Sequence, residues 1–123
     1  MNRYTFADLL TSASDPGTSR LAAINLANLL GIQEQDLATI AGVHRSTLRT
    51  HPDSPRLQAA LRDIMRAVSA AVRVEPDFER ALFLLKHQPI AVFHHKTILQ
   101  LIQEGRAADA VDYLDSISGG FVG

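Results

Sequence analysis

Apolar residues recur along the chain at helical spacing, and proline and glycine cut the pattern into short segments. Thr5 or Asp8 opens a first short helix that ends near Ser12. Asp15-Pro16-Gly17-Thr18 reads as a turn, with Thr18 or Ser19 as the next N-cap. Leu21, Ile24, Leu26, Ala27, Leu29 and Leu30 then share a face, and Gly31 stands where a helix takes a left-handed closing residue. Gln33 to Ala41 predicts a third helix closed by Gly42, and Arg45 to Thr50 a fourth, stopped by His51-Pro52. Pro55 opens the longest segment, running to about Val74. Leu57, Ala60, Leu61, Ile64, Val68, Ala71 and Val72 fall on one side of it, and Arg62, Arg66 and Arg73 on the other.

Glu75-Pro76 breaks that helix and begins a second block. Asp77 to about His87 is helical in pattern, with Phe78, Leu82, Phe83 and Leu85 as its apolar content. Gln88-Pro89 ends it, and 90–96 is a connector. Thr97 to Glu104 predicts a short helix closed by Gly105, and Arg106 to Ser118 a last one closed by Gly119-Gly120. There Ala107, Ala110, Val111, Leu114 and Ile117 share a face, with Asp109, Asp112 and Asp115 opposite. No useful length of the chain alternates with strand period, so the expectation is an all-α fold of about eight short helices. It divides into a first part, 1–74, and a second, 75–123.

Composition narrows the chemistry. The chain has 123 residues, 46% apolar and 20% charged, the balance of one compact domain or two small subdomains. The absence of cysteine excludes a disulfide framework, a thiolate metal site and a cysteine nucleophile. The longest apolar run, Ala81 to Leu85, is far too short to span a membrane. Arg3 is followed by no apolar stretch of the kind a signal peptide needs, so a soluble, cytoplasmic protein is expected. The net charge of −1 hides a gradient: residues 1–74 hold eight Lys/Arg against six Asp/Glu, and 75–123 hold four against seven. Within 44–73, Arg45, Arg49, Arg56, Arg62, Arg66 and Arg73 face only Asp53 and Asp63. A local basic region is what a phosphate backbone responds to, more than the whole-chain sum.

The most specific local pattern lies in 35–50. A helix-turn-helix needs a small residue where two helices cross, then a glycine four positions later to take a left-handed backbone at the turn. An apolar residue pins the turn, and another, six past the glycine, anchors the second helix. Ala38, Gly42, Val43 and Leu48 fill these places in order. His44, Arg45, Ser46, Thr47 and Arg49 are then the candidate DNA contacts, with Thr50 beside them, types that bond base edges and phosphates in a major groove. The alternative is a structural helical hairpin, with Ser46 and Thr47 as caps and Arg49 a solvated arginine. His51, at a position commonly apolar, and the Pro52 that shortens the second helix favour that alternative. The Arg62/Arg66/Arg73 stripe reads equally as a phosphate contact or a solvated surface.

Catalytic and metal patterns are weak. His94 and His95 are adjacent and point differently on any regular element, and no carboxylate falls at a ligand spacing from them. Asp109, Asp112 and Asp115 form a solvated stripe, not an acid/base pair in a pocket. No phosphate-binding glycine loop, nucleophile elbow or His-acid-Ser arrangement is present, so a non-enzymatic chain without metal or cofactor is expected. At the end of the chain, Ser118-Gly119-Gly120-Phe121-Val122-Gly123 has two readings. It is either a flexible plug reaching into a partner or a terminus whose Phe121 folds back on the core.

Read together, the helix-turn-helix pattern and the second block resemble the Xre/MbcA/ParS family of type II antitoxins over about residues 30–123. The likeness rests on Phe83-Leu84 and Pro89, Phe93 at an apolar position, Thr97 at a helix start, Leu101-Ile102 with Gly105, and Tyr113-Leu114-Ile117-Gly120. Ile98 stands where the family usually has proline, Phe83 where it usually has tryptophan, and His94-His95-Lys96 where members often carry one or two glycines. The resemblance implies a helix-turn-helix part that binds the operon's own operator DNA, as a homodimer or a higher hetero-oligomer with the toxin. It also implies a C-terminal part that binds a RES-domain toxin and blocks the entrance of its active site. NAD would belong to that toxin. Tyr113, Gly120, Phe121, Val122 and Gly123 are then the expected toxin contacts.

The resulting expectation is a toxin-neutralising antitoxin that also represses its own operon. The alternatives are a protein-interaction module without DNA binding, and an ordinary helix-turn-helix repressor with no toxin partner.

Overall fold

In a computed structural model, residues 5–8, 13 and 20–119 are described. All regular structure among them is helical: α1 (Ala23–Leu30), α2 (Glu34–Ala41), α3 (Thr47–Thr50), α4 (Pro55–Val74), α5 (Phe78–His87), a 3-10 turn (Ala91–Phe93), α6 (Ile98–Gln103) and α7 (Ala107–Gly119). The expected all-α class holds at that level. The chain forms two compact units, Met1–Arg62 and Asp63–Gly123, which divide inside α4 and not at the Glu75-Pro76 break. A proline ends a helix, but it does not decide which stretch of that helix packs with which neighbours. No helix among the described residues is long and apolar enough to cross a membrane.

In the first unit, Thr5 and Asp8 cap residues 6–8 reciprocally: the Thr5 N–H donates to Asp8 Oδ2 at 2.9 Å and the Asp8 N–H to Thr5 Oγ1 at 3.2 Å. The next helix begins at Ala23, later than the pattern suggests, with Ala22 as a cap that has no side-chain bond. Its delay has a tertiary cause. Leu21 is held in an extended position by the Gln58 amide, and the Ala22 N–H donates to Ala13 O. The turn and cap expected at Asp15 to Ser19 lie outside the described residues. Leu26, Leu37, Leu48, Leu57 and Leu61 are fully buried, with Ala27 and Ala38 between them, and form the core of this unit. Ser54 starts α4 by accepting the Leu57 N–H on its hydroxyl at 3.3 Å, and Pro55 has no N–H to leave unbonded.

In the second unit, Asp77 caps α5 by accepting the Arg80 N–H at 3.1 Å. Thr97 and Gln100 close a capping box on α6 at 2.8 and 3.2 Å. Ile64, Val68, Leu85, Ile98, Leu101 and Leu114 are fully buried. The 90–96 connector folds into a knot of backbone bonds. The Ile90 N–H donates to Lys96 O, and the His95 N–H donates back to Ile90 O. Closing it requires left-handed backbone at His94 (φ 56°) and His95 (φ 64°), a region that side-chain-bearing residues seldom occupy.

Candidate functional site

The 33–51 segment builds the first candidate site. At the head of α2 the Gln33 N–H donates to Asp36 Oδ2 at 3.3 Å, so the helix starts where a carboxylate accepts one of its orphan donors. At its tail Gly42 takes φ 69°, its N–H bonds Thr39 O at 3.1 Å, and the Val43 N–H bonds Ala38 O at 3.0 Å. These two bonds make a Schellman closure and turn the chain sharply out of the helix. Ala38 and Leu48 are buried, and Val43 is half-buried beneath the turn.

The second helix is shorter than the pattern predicts. His44 Nδ1 accepts the Ser46 N–H at 3.2 Å and lies 2.9 Å from Ser46 Oγ, which ties 44–46 into a turn. The Thr47 and Leu48 N–H groups bond His44 O and Arg45 O, one residue tighter than α-helical spacing. The helix proper therefore spans only Thr47–Thr50, where Arg45–Thr50 was expected. The Thr50 hydroxyl donates to Ser46 O at 2.8 Å.

The candidate contacts consequently stand in different states. His44 and Ser46 are exposed but engaged with each other, and Thr47 is half-buried. Arg45 is exposed and makes no ion pair among the described residues. It lines an open cleft of about 270 Å3 with Asn28, Ile32, Gln33, Glu34 and Gln35. Arg49 is paired: its guanidinium lies 2.7 Å from Glu34 Oε2, with its own side chain 64% exposed and that of Glu34 only 21%. Glu34 thus links the two arginines, lining the cleft of one and bonding the other. Arg56, from the first turn of α4, passes behind the Gly42 turn, and its Nε would lie 3.5 Å from a Cβ placed there.

The arginines expected as a stripe are largely occupied. Arg66 pairs with Asp63 at 3.2 Å, and Arg73 pairs with Asp115 at 2.7 Å. Arg62 lines a separate open cleft of about 310 Å3 with Arg20, Asp53, Pro55 and Gln58.

No family model matches the chain, and no curated protein or solved structure resembles it significantly.

In the second unit Tyr113 is half-buried, its ring edge-on to Phe93 with centroids 5.8 Å apart at 75°. The Arg106 guanidinium sits 5.1 Å over the same Phe93 ring and its Nε donates to Asp109 Oδ2 at 3.0 Å. This arrangement pins the 3-10 turn onto α7. Phe83 (58% exposed, tilted against His87 at 5.1 Å) and Val92 (71% exposed) are the large apolar side chains left in solvent among the described residues. Gly120, Phe121, Val122 and Gly123 lie outside the described residues. Among the described residues no three His, Cys, Asp or Glu side chains converge as a metal site.

Two positions that shape the first unit escape the sequence pattern. Glu34 reads there only as a favourable acid in the first turn of a helix, and nothing marks its bond to a residue fifteen positions on. Gln58, the buried polar side chain among the described residues, carries a weak signal: it follows Leu57 at the edge of an apolar face.

Proposed function

We propose that the chain is a two-part, non-enzymatic antitoxin: 33–51 is a helix-turn-helix that binds operator DNA, and the second unit binds a toxin protein. The observation that carries the DNA half is the Gly42 closure, with Leu48 anchored in the core and Arg45 beside it, exposed and without an ion pair among the described residues. A bare guanidinium on a rigid, exposed turn is suited to a phosphate or a guanine edge. His44, Ser46, Thr47 and Arg49 flank it and complete the contact surface. Dimer symmetry doubles these few contacts, which a chain of net charge −1 requires.

The toxin half is supported by the likeness of the second block to Xre/MbcA/ParS antitoxins. Phe83 and Val92, the large apolar side chains exposed among the described residues, are the apolar surface this unit offers a partner. The partner in this proposal is a RES-domain toxin, the contacts are Tyr113 with Gly120, Phe121, Val122 and Gly123, and the complex acts in the cytoplasm. NAD is the toxin's, not this chain's.

A duplex from the region upstream of the chain's own reading frame tests the DNA half. Arg45→Ala combined with Arg49→Ala abolishes binding in this proposal, and unchanged affinity refutes it. Co-expression with the product of the adjacent gene tests the other half. The full chain restores growth and co-purifies with that product, while a chain ending after Ile117 fails to rescue. A harmless neighbour that does not co-purify refutes the toxin-binding role.

A second reading, a protein-interaction module without DNA binding, is favoured by the single turn of α3 and by the pairing of Arg49 with Glu34. It requires that the double arginine variant neutralise the neighbour as well as the native chain does, and that neither bind the duplex.

A further inference from the structure

Resting on the DNA-binding proposal, we infer that Glu34 acts as an internal stand-in for a DNA phosphate, so that duplex binds by displacing its carboxylate from Arg49. The geometry points to exchange. Glu34 belongs to the first turn of α2 and Arg49 to α3, yet the carboxylate and guanidinium meet at 2.7 Å. The pair is asymmetric: the arginine side chain is 64% exposed and the glutamate 21%. The acid is therefore the more anchored partner, and the cation remains open to an incoming anion. The same Glu34 lines the cleft beside Arg45, so its negative charge sits among both candidate DNA arginines. A carboxylate and a phosphate offer the same fork of acceptors to a guanidinium, and both cannot occupy it fully.

Two consequences follow from simple electrostatics. While paired, Arg49 adds little to the field an approaching duplex meets, because opposite charges 2.7 Å apart largely cancel at distances well beyond their separation. Once Glu34 is removed, Arg49 neutralises a phosphate without first giving up the carboxylate. Glu34 is in this sense a positioning residue: it touches no DNA and acts through Arg49. It weakens unselective binding most, since a random duplex offers Arg49 only a phosphate in return for the carboxylate it gives up.

The test uses the full chain and two fluorescent duplexes, one of mixed sequence and one from upstream of its own reading frame. Binding is titrated across a range of salt for the native chain, Glu34→Gln, Arg49→Ala and the double variant. An exposed ion pair of this kind corresponds to a gain of about 1.4- to 5-fold for Glu34→Gln on the mixed duplex. The salt slope should stay unchanged, because Arg49 neutralises the same phosphate in both complexes, whereas Arg49→Ala should flatten it by about 0.9, the increment for one phosphate. In the double variant the gain vanishes, because it acts through Arg49.

Loss of Arg49 that weakens binding, while Glu34→Gln leaves affinity unchanged, overturns the inference and leaves the DNA-binding proposal intact. A gain that survives in the double variant also overturns it, since the effect is then only the removal of a negative charge. If no variant binds either duplex, the inference falls together with the proposal it rests on. Circular dichroism of Glu34→Gln confirms that the helices are retained.

Discussion

Gln58 offers the sharpest quantitative test of how the first unit is held. Its amide oxygen accepts the Leu21 N–H at 2.9 Å, and its amide nitrogen donates to Leu21 O at 3.0 Å and to Pro52 O at 2.8 Å. With 8% of its surface exposed, it joins segments 37 residues apart and bonds both backbone groups of Leu21. Gln58→Met keeps the length and most of the volume while removing all three bonds. Each bond contributes about 1 kcal/mol net, so about 3 kcal/mol is lost. Burying the more apolar methionine returns about 1 kcal/mol.

The expected change is therefore a destabilisation of about 2 kcal/mol, a large part of the roughly 5–15 kcal/mol that stabilises a domain. In urea this lowers the midpoint by about 1 M, for a slope near 2 kcal/mol per M. Because the chain has two compact units, hydrogen exchange is the better assay. In Gln58→Met the Leu21 amide exchanges at close to the rate of an unprotected amide, while the amides of α7 keep their protection. A shift under about 0.5 kcal/mol with the Leu21 amide still protected would refute the assignment of Gln58 as the clamp.

Two further predictions concern left-handed backbone. Gly42→Ala and Gly105→Ala should each cost about 1–2 kcal/mol, the penalty of a Cβ at φ 69° and 80°. At Gly105 an added Cβ meets nothing within 4 Å and at Gly42 it makes only ordinary contact with Arg56, so the two losses should match. Thermal unfolding reads each as a fall of roughly 4–8 °C per kcal/mol, and a much larger loss at Gly42 would mean that contact with Arg56 matters. Conversely, His95→Gly relieves the strain at φ 64° and should raise the melting temperature by a few degrees, the gain being reduced by glycine's greater freedom when unfolded. His95→Val, forced into the same conformation, should lower it; equal melting temperatures for the two variants would show that the turn opens at little cost.

The architecture was legible wherever a rule acts within about five residues. Gly31, Gly42 and Gly105 all close helices at positive φ, as their places after apolar runs imply. Thr97 with Gln100, Asp77, and the Ser54-Pro55 start of α4 are helix openings whose chemistry is local. The buried sets of α4 and α7 follow from the 3.6-residue period, with Val72, Val111 and Ile117 half-buried at the margins. Of the candidate DNA contacts, sequence placed Arg45 and Arg49 beside one turn, but it also lengthened their helix by two residues. Capping by His44 Nδ1 and the tight 44–46 turn compete with the helix there, and helix propensity alone does not weigh that competition.

Thus the sequence by itself determined the helical class, the main break points and the apolar faces, because dihedral preference and side-chain period are properties of neighbouring residues. Tertiary structure decided the rest. The late start of α1 depends on Gln58, the occupancy of Arg49 on Glu34, and that of Arg73 on Asp115, 42 residues away. It also decided that two histidines take a backbone suited to glycine, because the bonds that close 90–96 impose it. Long-range partners are chosen by which side chains the folded core brings within hydrogen-bond reach. A charge in the sequence states what a residue offers, and only the fold states whether that offer is already taken.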